Sequence, residues 1–259
     1  MNYTLIPGQS RLLISLPHSS SAIPWELAAR MHPYAQGCPD TDWLLQPLYD
    51  FARGLGAGLL LPHWSRYVID LNRSPANENL YPGADSTELC PSSTFERRPI
   101  YLPGQAPDAA EVQQRLQTYW QPYHQALQAE ARRLKEDYGH AIIFEAHSIA
   151  SVVPRFFDGR LPDLNLGTAD GHSCSPALTG ALESVLAAST YSWVVNGRFK
   201  GGYITRAYGQ PAEGIHTVQL ELSQAAYLDE DSGAWLPGKV ARIQPVLERL
   251  LRACLNTPL

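Results

Sequence analysis

Three apolar runs in this chain end on residues able to hold a metal or move a proton. Arg11–Leu16 leads into Pro17-His18-Ser19. Ala141–Phe144 leads into Glu145-Ala146-His147-Ser148. Thr217–Leu222 carries Glu221 near its end. Short apolar runs bounded by turn signals read as buried strands. In open α/β sheets, ligands bind beyond the carboxyl ends of such strands. The three ends therefore place two imidazoles and a carboxylate where chemistry happens. Asp40 and Asp42 follow the first end closely. Two histidines and one carboxylate, with a fourth position open, form a common ligand set of catalytic zinc. A further free carboxylate then serves as general base toward water. The ligands are scattered and there is no HExxH, so spacing alone is a weak signal. One strand-end histidine is as well explained by core packing; the repetition at three ends favours a site.

The competing chemistries are poorly served. There is no GxSxG elbow for a serine nucleophile, and no Walker or GxGxxG loop for phosphates. His32, His63, His124, His140, His172 and His216 lie in loops, within a helical pattern or at a strand edge, and read as packing or surface residues. A basic group comprises Arg66, Arg73, Arg198, Lys200 and Arg206, at strand ends or in a glycine-rich loop. Arginine forks bind carboxylates bidentately, which points to a small acidic substrate. Ordinary surface pairing is the plainer account of Lys200.

The elements that must position these residues alternate. After the first strand, Pro24–Met31 is a short helix. A helix over Asp42–Leu55 carries the apolar stripe Trp43, Leu44, Leu48, Phe51, Ala52 and Leu55, with Asp40 or Thr41 as its cap. Gly58–Leu61 and Arg66–Leu71 read as strands two and three, the latter continuing into Asn72-Arg73. Residues 76–107 form a long loop, whose Leu80, Tyr81, Phe95, Ile100, Tyr101 and Leu102 suggest that it packs. The clearest helix runs from Asp108 or Ala109 to Asp137, with Pro122 predicting a kink and Gly139 a stop. Then come the strand at Ala141, a loop over Val152–Ser175, a helix to Ala188, a strand over Tyr191–Val195, a polar loop over Phe199–Gly214, the last strand and a closing helix over Lys239–Leu255. Such alternation predicts one three-layer α/β/α domain with a central mixed sheet, spanning residues 1–259.

Composition narrows the class. A hydrophobic fraction of 44% with 17% charged residues suits a globular core. A net charge of −5 offers no basic face to nucleic acid. No apolar run approaches the ~20 residues that span a bilayer. Cys38, Cys90, Cys174 and Cys254 have no CxxC spacing and read as reduced thiols of a cytoplasmic protein. The first ten residues do not form a signal peptide.

Taken together, the motifs LPHSSSAIP (Leu16–Pro24), DTDW (Asp40–Trp43), SRYVIDLNR (Ser65–Arg73), EAHSI (Glu145–Ile149), NGRFKGGYITRAYGQP (Asn196–Pro211) and QLELSQAAY (Gln219–Tyr227) resemble the N-formylglutamate amidohydrolase family. The resemblance covers nearly the whole chain, roughly Leu13 to Tyr227. It implies a phosphorylase/hydrolase-like fold related to zinc carboxypeptidases. It also implies hydrolysis of N-formyl-L-glutamate to formate and L-glutamate in bacterial histidine degradation. By the same resemblance His18, Asp40 and His147 bind one zinc, with cobalt or manganese as substitutes. Asp42 is the alternative acidic ligand, set second because it more naturally begins the helix. Glu221 is the general base, and Asn72-Arg73 resembles the pair by which carboxypeptidases hold a substrate carboxylate, with Arg66 and Arg206 as further substrate contacts. The alternatives are a metallo-amidase or deacylase of the same fold acting on another N-acyl amino acid or peptide, and an inactive protein that binds an acidic metabolite.

Overall fold

The structure is a computed structural model that describes residues 2–79, 83 and 85–259. In chain order its elements are β1 (Tyr3–Ile6), β2 (Leu12–Ser15), α1 (Trp25–Ala28), α2 (Pro33–Gln36), α3 (Leu45–Leu48), β3 (Gly58–Pro62), α4 (Ala109–Arg115), α5 (Gln121–Tyr138), β4 (Ala141–Ile149), β5 (Leu164–Gly167), α6 (Pro176–Ala187), β6 (Trp193–Val195), α7 (Tyr203–Tyr208), β7 (Ile215–Ser223) and α8 (Pro237–Asn256). The seven strands form one mixed sheet in the order β1-β3-β2-β4-β7-β5-β6. Strands β3, β2, β4 and β7 are mutually parallel; β1 pairs antiparallel with β3, and β5 antiparallel with β7.

Alternation along the strands builds the three layers. Leu12, Ile14 and Phe144 pack with Leu45 and Leu48 of α3, Leu178 and Leu182 of α6, and Leu247 and Leu250 of α8. Leu13 and Ile143 face the other way, onto Tyr123, Leu127 and Leu134 of α5 and Ile204 of α7. Both central strands, β2 and β4, are buried on both faces, which is why they read as unbroken apolar runs.

Several expectations are corrected. Arg66–Leu71 is buried but forms turns rather than a strand: Val68 N–H donates to Ser65 O, and Asp70 N–H to Leu89 O. Its side chains are apolar because they pack. Ile69 and Leu71 lie with Leu89 and Cys90, and Tyr67 with Ile100 and Tyr101. The helix expected over Asp42–Leu55 begins only at Leu45, after Leu44 takes φ 57°, and a separate 3₁₀ turn spans Asp50–Leu55. Strand β5 lies inside the expected loop Val152–Ser175, and α7 inside the expected polar loop after Phe199. The long helix departs from regularity at Pro122 as expected: a π-helical turn at Leu116–Trp120 joins α4 to α5. A proline lacks the N–H and crowds the carbonyl four residues back, so a wider turn relieves both problems. Gly139 ends α5 at φ 84°. The long loop packs through Ile100 and Tyr101, while Leu102 is exposed. Leu80 and Tyr81 lie outside the described residues.

A buried histidine in α5 sets one acid limit on stability. His124 Nε2 lies 2.8 Å from Leu71 O and Nδ1 2.9 Å from Tyr208 Oη, so a neutral ring donates to the carbonyl and accepts from the phenol. Burial pushes its pKa from 6.5 down to about 3. Between those values the unfolded chain binds the extra proton, so stability falls as pH drops below 6.5. At pH 5 the expected loss from this group is about 2 kcal/mol, at about 1.4 kcal/mol per unit. Urea midpoints at pH 7 and pH 5 check it: the difference should shrink in His124→Gln.

Candidate active site

After β2 the chain turns toward β3, whereas β4 lies on β2's other side. The crevice where such connections diverge, at the carboxyl ends of parallel strands, is the usual site position in open sheets. His18 lies just beyond β2. His147 and Glu221 stand opposite each other in the β4–β7 register, with Glu145 opposite Gln219 two residues below. Residues in register on adjacent parallel strands point to the same face, here the face of α5 and α7.

His18, Asp42 and His147 converge. One donor atom from each lies within 4.8 Å of the others, and all three side chains are buried. His147 Nδ1 is 3.0 Å and His18 Nδ1 3.8 Å from Asp42 Oδ2. The opposite nitrogen of each ring meets a separate buried carboxylate. His18 Nε2 is 2.7 Å from Asp70 Oδ1, and His147 Nε2 is 3.0 Å from Glu145 Oε1. Ser148 N–H holds Asp42 Oδ2 at 3.1 Å. Imidazoles that each turn one nitrogen to a common point and fix the other on a carboxylate have the arrangement of metal-binding histidines. Two nitrogens and one oxygen fit a divalent ion of the zinc type.

The electrostatics follow from burial and pairing. Burial opposes ionisation of Asp70, but His18 and Arg66 outweigh it and hold its carboxyl well below the usual range. Burial likewise opposes charging of His147, yet its bonds to Asp42 and Glu145 hold the imidazolium well above the ordinary histidine value. His18 moves down, through burial and the neighbouring Arg66 charge. Glu221 is raised above the carboxylate range, chiefly by burial, with the His147 charge working against the rise.

Of the two aspartates of the DTD motif, Asp42 is the one brought to the histidines. Asp40 turns away: its Oδ2 accepts from Tyr67 Oη at 2.6 Å and from Phe95 N–H at 2.9 Å. The reason is the late helix start. Because α3 begins at Leu45, Asp42 is not spent in a first helical turn. Glu145, a buried carboxylate on β4, accepts from Thr205 Oγ1 as well as facing His147. Glu221 lines the cleft, and among the described residues no hydrogen-bond donor meets its carboxylate.

The same cleft is lined by Arg66, Asn72, Arg73, Arg198 and the rings of Phe95, Phe156 and Phe199. Arg66 donates to Asp70 Oδ2 at 2.7 Å and sits over the Phe95 ring, 4.9 Å from its centroid. Arg73 Nε is 4.0 Å from Asp70 Oδ2, and its NH2 donates to Thr87 Oγ1 at 3.1 Å. Asn72 is pinned by Ile204 N–H donating to its Oδ1, and a Cβ at Gly202 would collide with its amide, so a larger residue there would displace Asn72 from that bond. Arg206 is not among the lining residues; its Nε donates to Gly201 O. Asp70, which links His18, Arg66 and the Asn72 N–H, was missed from sequence. Its only signal is an acid interrupting the apolar run Tyr67-Val68-Ile69 before Leu71.

Residues 10–228 match the family model for N-formylglutamate amidohydrolase. The N-formylglutamate deformylase of Pseudomonas aeruginosa is 50% identical over 226 residues, 87% of this chain and 85% of that protein. The N-formylglutamate deformylase of Pseudomonas putida is 46% identical over 250 residues, 96% and 93% of the two chains. Among solved structures, the N-formylglutamate amidohydrolase of Ralstonia eutropha JMP134 superposes with a TM-score of 0.78 at 26% identity, over 97% of each chain. A gene product of Agrobacterium tumefaciens shares the fold, with a TM-score of 0.73 at 18% identity over 98% of this chain and 93% of its own. The motif order, the strand-end site and these matches agree, and the chain belongs to the N-formylglutamate amidohydrolase family.

Proposed function

We propose that the protein hydrolyses N-formyl-L-glutamate to formate and L-glutamate, with a divalent ion held by His18, Asp42 and His147. Zinc is the expected ion, with cobalt or manganese as substitutes. The observation that supports the reading most directly is one cleft that gathers these three side chains, Glu221, whose carboxylate meets no donor among the described residues, and three arginines. The names of the two Pseudomonas relatives, at 46–50% identity, supply the substrate. When bound, the ion would polarise the formyl carbonyl and favour ionisation of water. Glu221 takes the proton of the attacking water and returns it to the departing amine nitrogen as the C–N bond breaks. Asp70 and Glu145 fix the two imidazoles. Asn72 is locked by Ile204 and Gly202 and in turn places Arg73, whose fork takes a substrate carboxylate. The reading places the reaction in histidine degradation in the cytoplasm; among the described residues no helix is long and apolar enough to cross a membrane.

The test is formate release from N-formylglutamate together with elemental analysis of the purified protein. One divalent ion per chain, and loss and recovery of activity on chelation and re-addition, are expected. Faster turnover of N-acetylglutamate would favour a deacylase instead, and tight binding without turnover a metabolite-binding protein. Arg73→Ala should lower kcat/KM for N-formylglutamate about 30-fold or somewhat more, with the ion retained. That is about 2 kcal/mol, the lower end for a lost charge partner, because Asp70 already shares this guanidinium. Arg73→Lys should restore only part.

A further inference from the structure

Glutamate carries two carboxylates, and the cleft has two arginine-bearing walls. Arg73 belongs to the wall next to the metal-ligand cluster: it approaches Asp70, which itself bonds His18. Arg198 belongs to the other. It follows β6, lines the same cleft and is braced by main-chain carbonyls, Nε donating to Phe156 O and NH2 reaching Asp85 O at 3.4 Å. Its guanidinium carbon stands 5.3 Å from the centroid of the Phe199 ring and 5.8 Å from that of Phe156, both rings also lining the cleft.

The two walls differ in the groups that hold their arginines in place. Arg66 and Arg73 both face the buried Asp70 carboxylate. The carboxylate of Asp85 is engaged by Arg155 and Arg97, and Asp85 offers Arg198 its carbonyl. A fork already braced by main-chain carbonyls and flanked by aromatic rings loses little freedom on binding a carboxylate. Phe156 and Phe199 beside it present apolar surface suited to methylenes.

Substrate chemistry fixes which carboxylate goes where. The α-carboxylate is bonded to the carbon that bears the scissile amide nitrogen, so it stays next to the metal-ligand cluster and falls to Arg73. The side-chain carboxylate lies three carbon–carbon bonds from that carbon. On the reading that the protein deformylates N-formylglutamate, we infer that Arg198 binds the side-chain carboxylate and sets the preference for an acidic side chain, with Phe156 and Phe199 flanking the methylenes.

N-formyl-L-glutamine is the probe, since it keeps the shape and removes the charge. Wild type should prefer N-formylglutamate over N-formylglutamine about 100-fold or more in kcat/KM, the scale of a charge-paired fork. Arg198→Ala should lose most of that preference, chiefly through KM for N-formylglutamate, while N-formylglutamine changes less than about threefold. Arg198→Lys should fall between them, and serves in place of Arg198→Ala should the latter fail to fold. A purely structural arginine would lower both substrates alike. An unchanged glutamate-to-glutamine ratio in both variants overturns the assignment of Arg198 alone. Absence of formate release from N-formylglutamate by the wild type overturns the parent reading and this inference with it.

Discussion

Glu221→Gln should keep a full complement of divalent ion and lose roughly 10²–10⁴ in turnover, the range for a positioned acid–base group. Glutamine preserves shape and burial and removes only the ability to take a proton. Two buried carboxylates stand at the ends of the central strands, and their surroundings differ. Glu145 is occupied by Thr205 and His147, whereas Glu221 meets no donor among the described residues. Burial, helped by the neighbouring Asp42 and Glu145 carboxylates, disfavours the charged form of Glu221, and a cation brought into the cluster would favour it again, moving the group toward the working range of a base. Glu145→Gln is the control. It should weaken ion binding through His147, and restoring ion occupancy should restore most of the turnover. A Glu221→Gln enzyme with wild-type kcat would assign the proton transfer elsewhere.

The second expected result concerns the ion. His18→Ala, Asp42→Ala and His147→Ala should each purify without stoichiometric metal and without measurable formate release, yet remain folded. Three protein ligands are the minimum that catalytic zinc sites use, so losing one leaves too few donors. Asp40→Asn should retain the ion, because Asp40 is spent on Tyr67 and the Phe95 N–H. Asp70→Asn should weaken affinity by about 10–100-fold without abolishing it, as expected for a group that orients a ligand from behind. Full occupancy in Asp42→Ala, with loss in Asp40→Asn, would reverse the choice between the two aspartates.

The strand-end residues were legible because their chemistry is local. An apolar run that stops at His18 or His147 announces both the strand and its functional end. The three layers followed from alternation, and the irregularity of the long helix from Pro122. What escaped depends on distant partners. Arg66–Leu71 has the composition of a strand but finds its burial against Leu89 and Ile100 rather than a sheet neighbour. The start of α3 depends on Leu44 taking a left-handed conformation that its side chain does not advertise. For that reason the sequence favoured Asp40 as the acidic candidate, whereas Asp42 is the aspartate that lies beside the two histidines. Arg206 resembles its basic neighbours in sequence, yet its place in α7 directs Nε to Gly201 O, and it does not line the cleft. Asp70 shows itself only once its contacts are seen.

Asp70 touches His18 on one side and Arg66 on the other, with Arg73 4.0 Å away and the Asn72 N–H on Oδ1. On the proposed function, one carboxylate thus serves both the metal-binding and the anion-binding halves of the cleft. Any ligand that pulls Arg66 or Arg73 away from it leaves more of its charge to His18, and the reverse holds equally. Ion loading and substrate affinity should therefore be reciprocally linked, each altering the other by the same factor. Substitutions at His18, Arg66 and Arg73 will be non-additive, because they share a partner. An engineer seeking a new acyl-amino-acid preference at Arg73 changes the metal's grip in the same stroke.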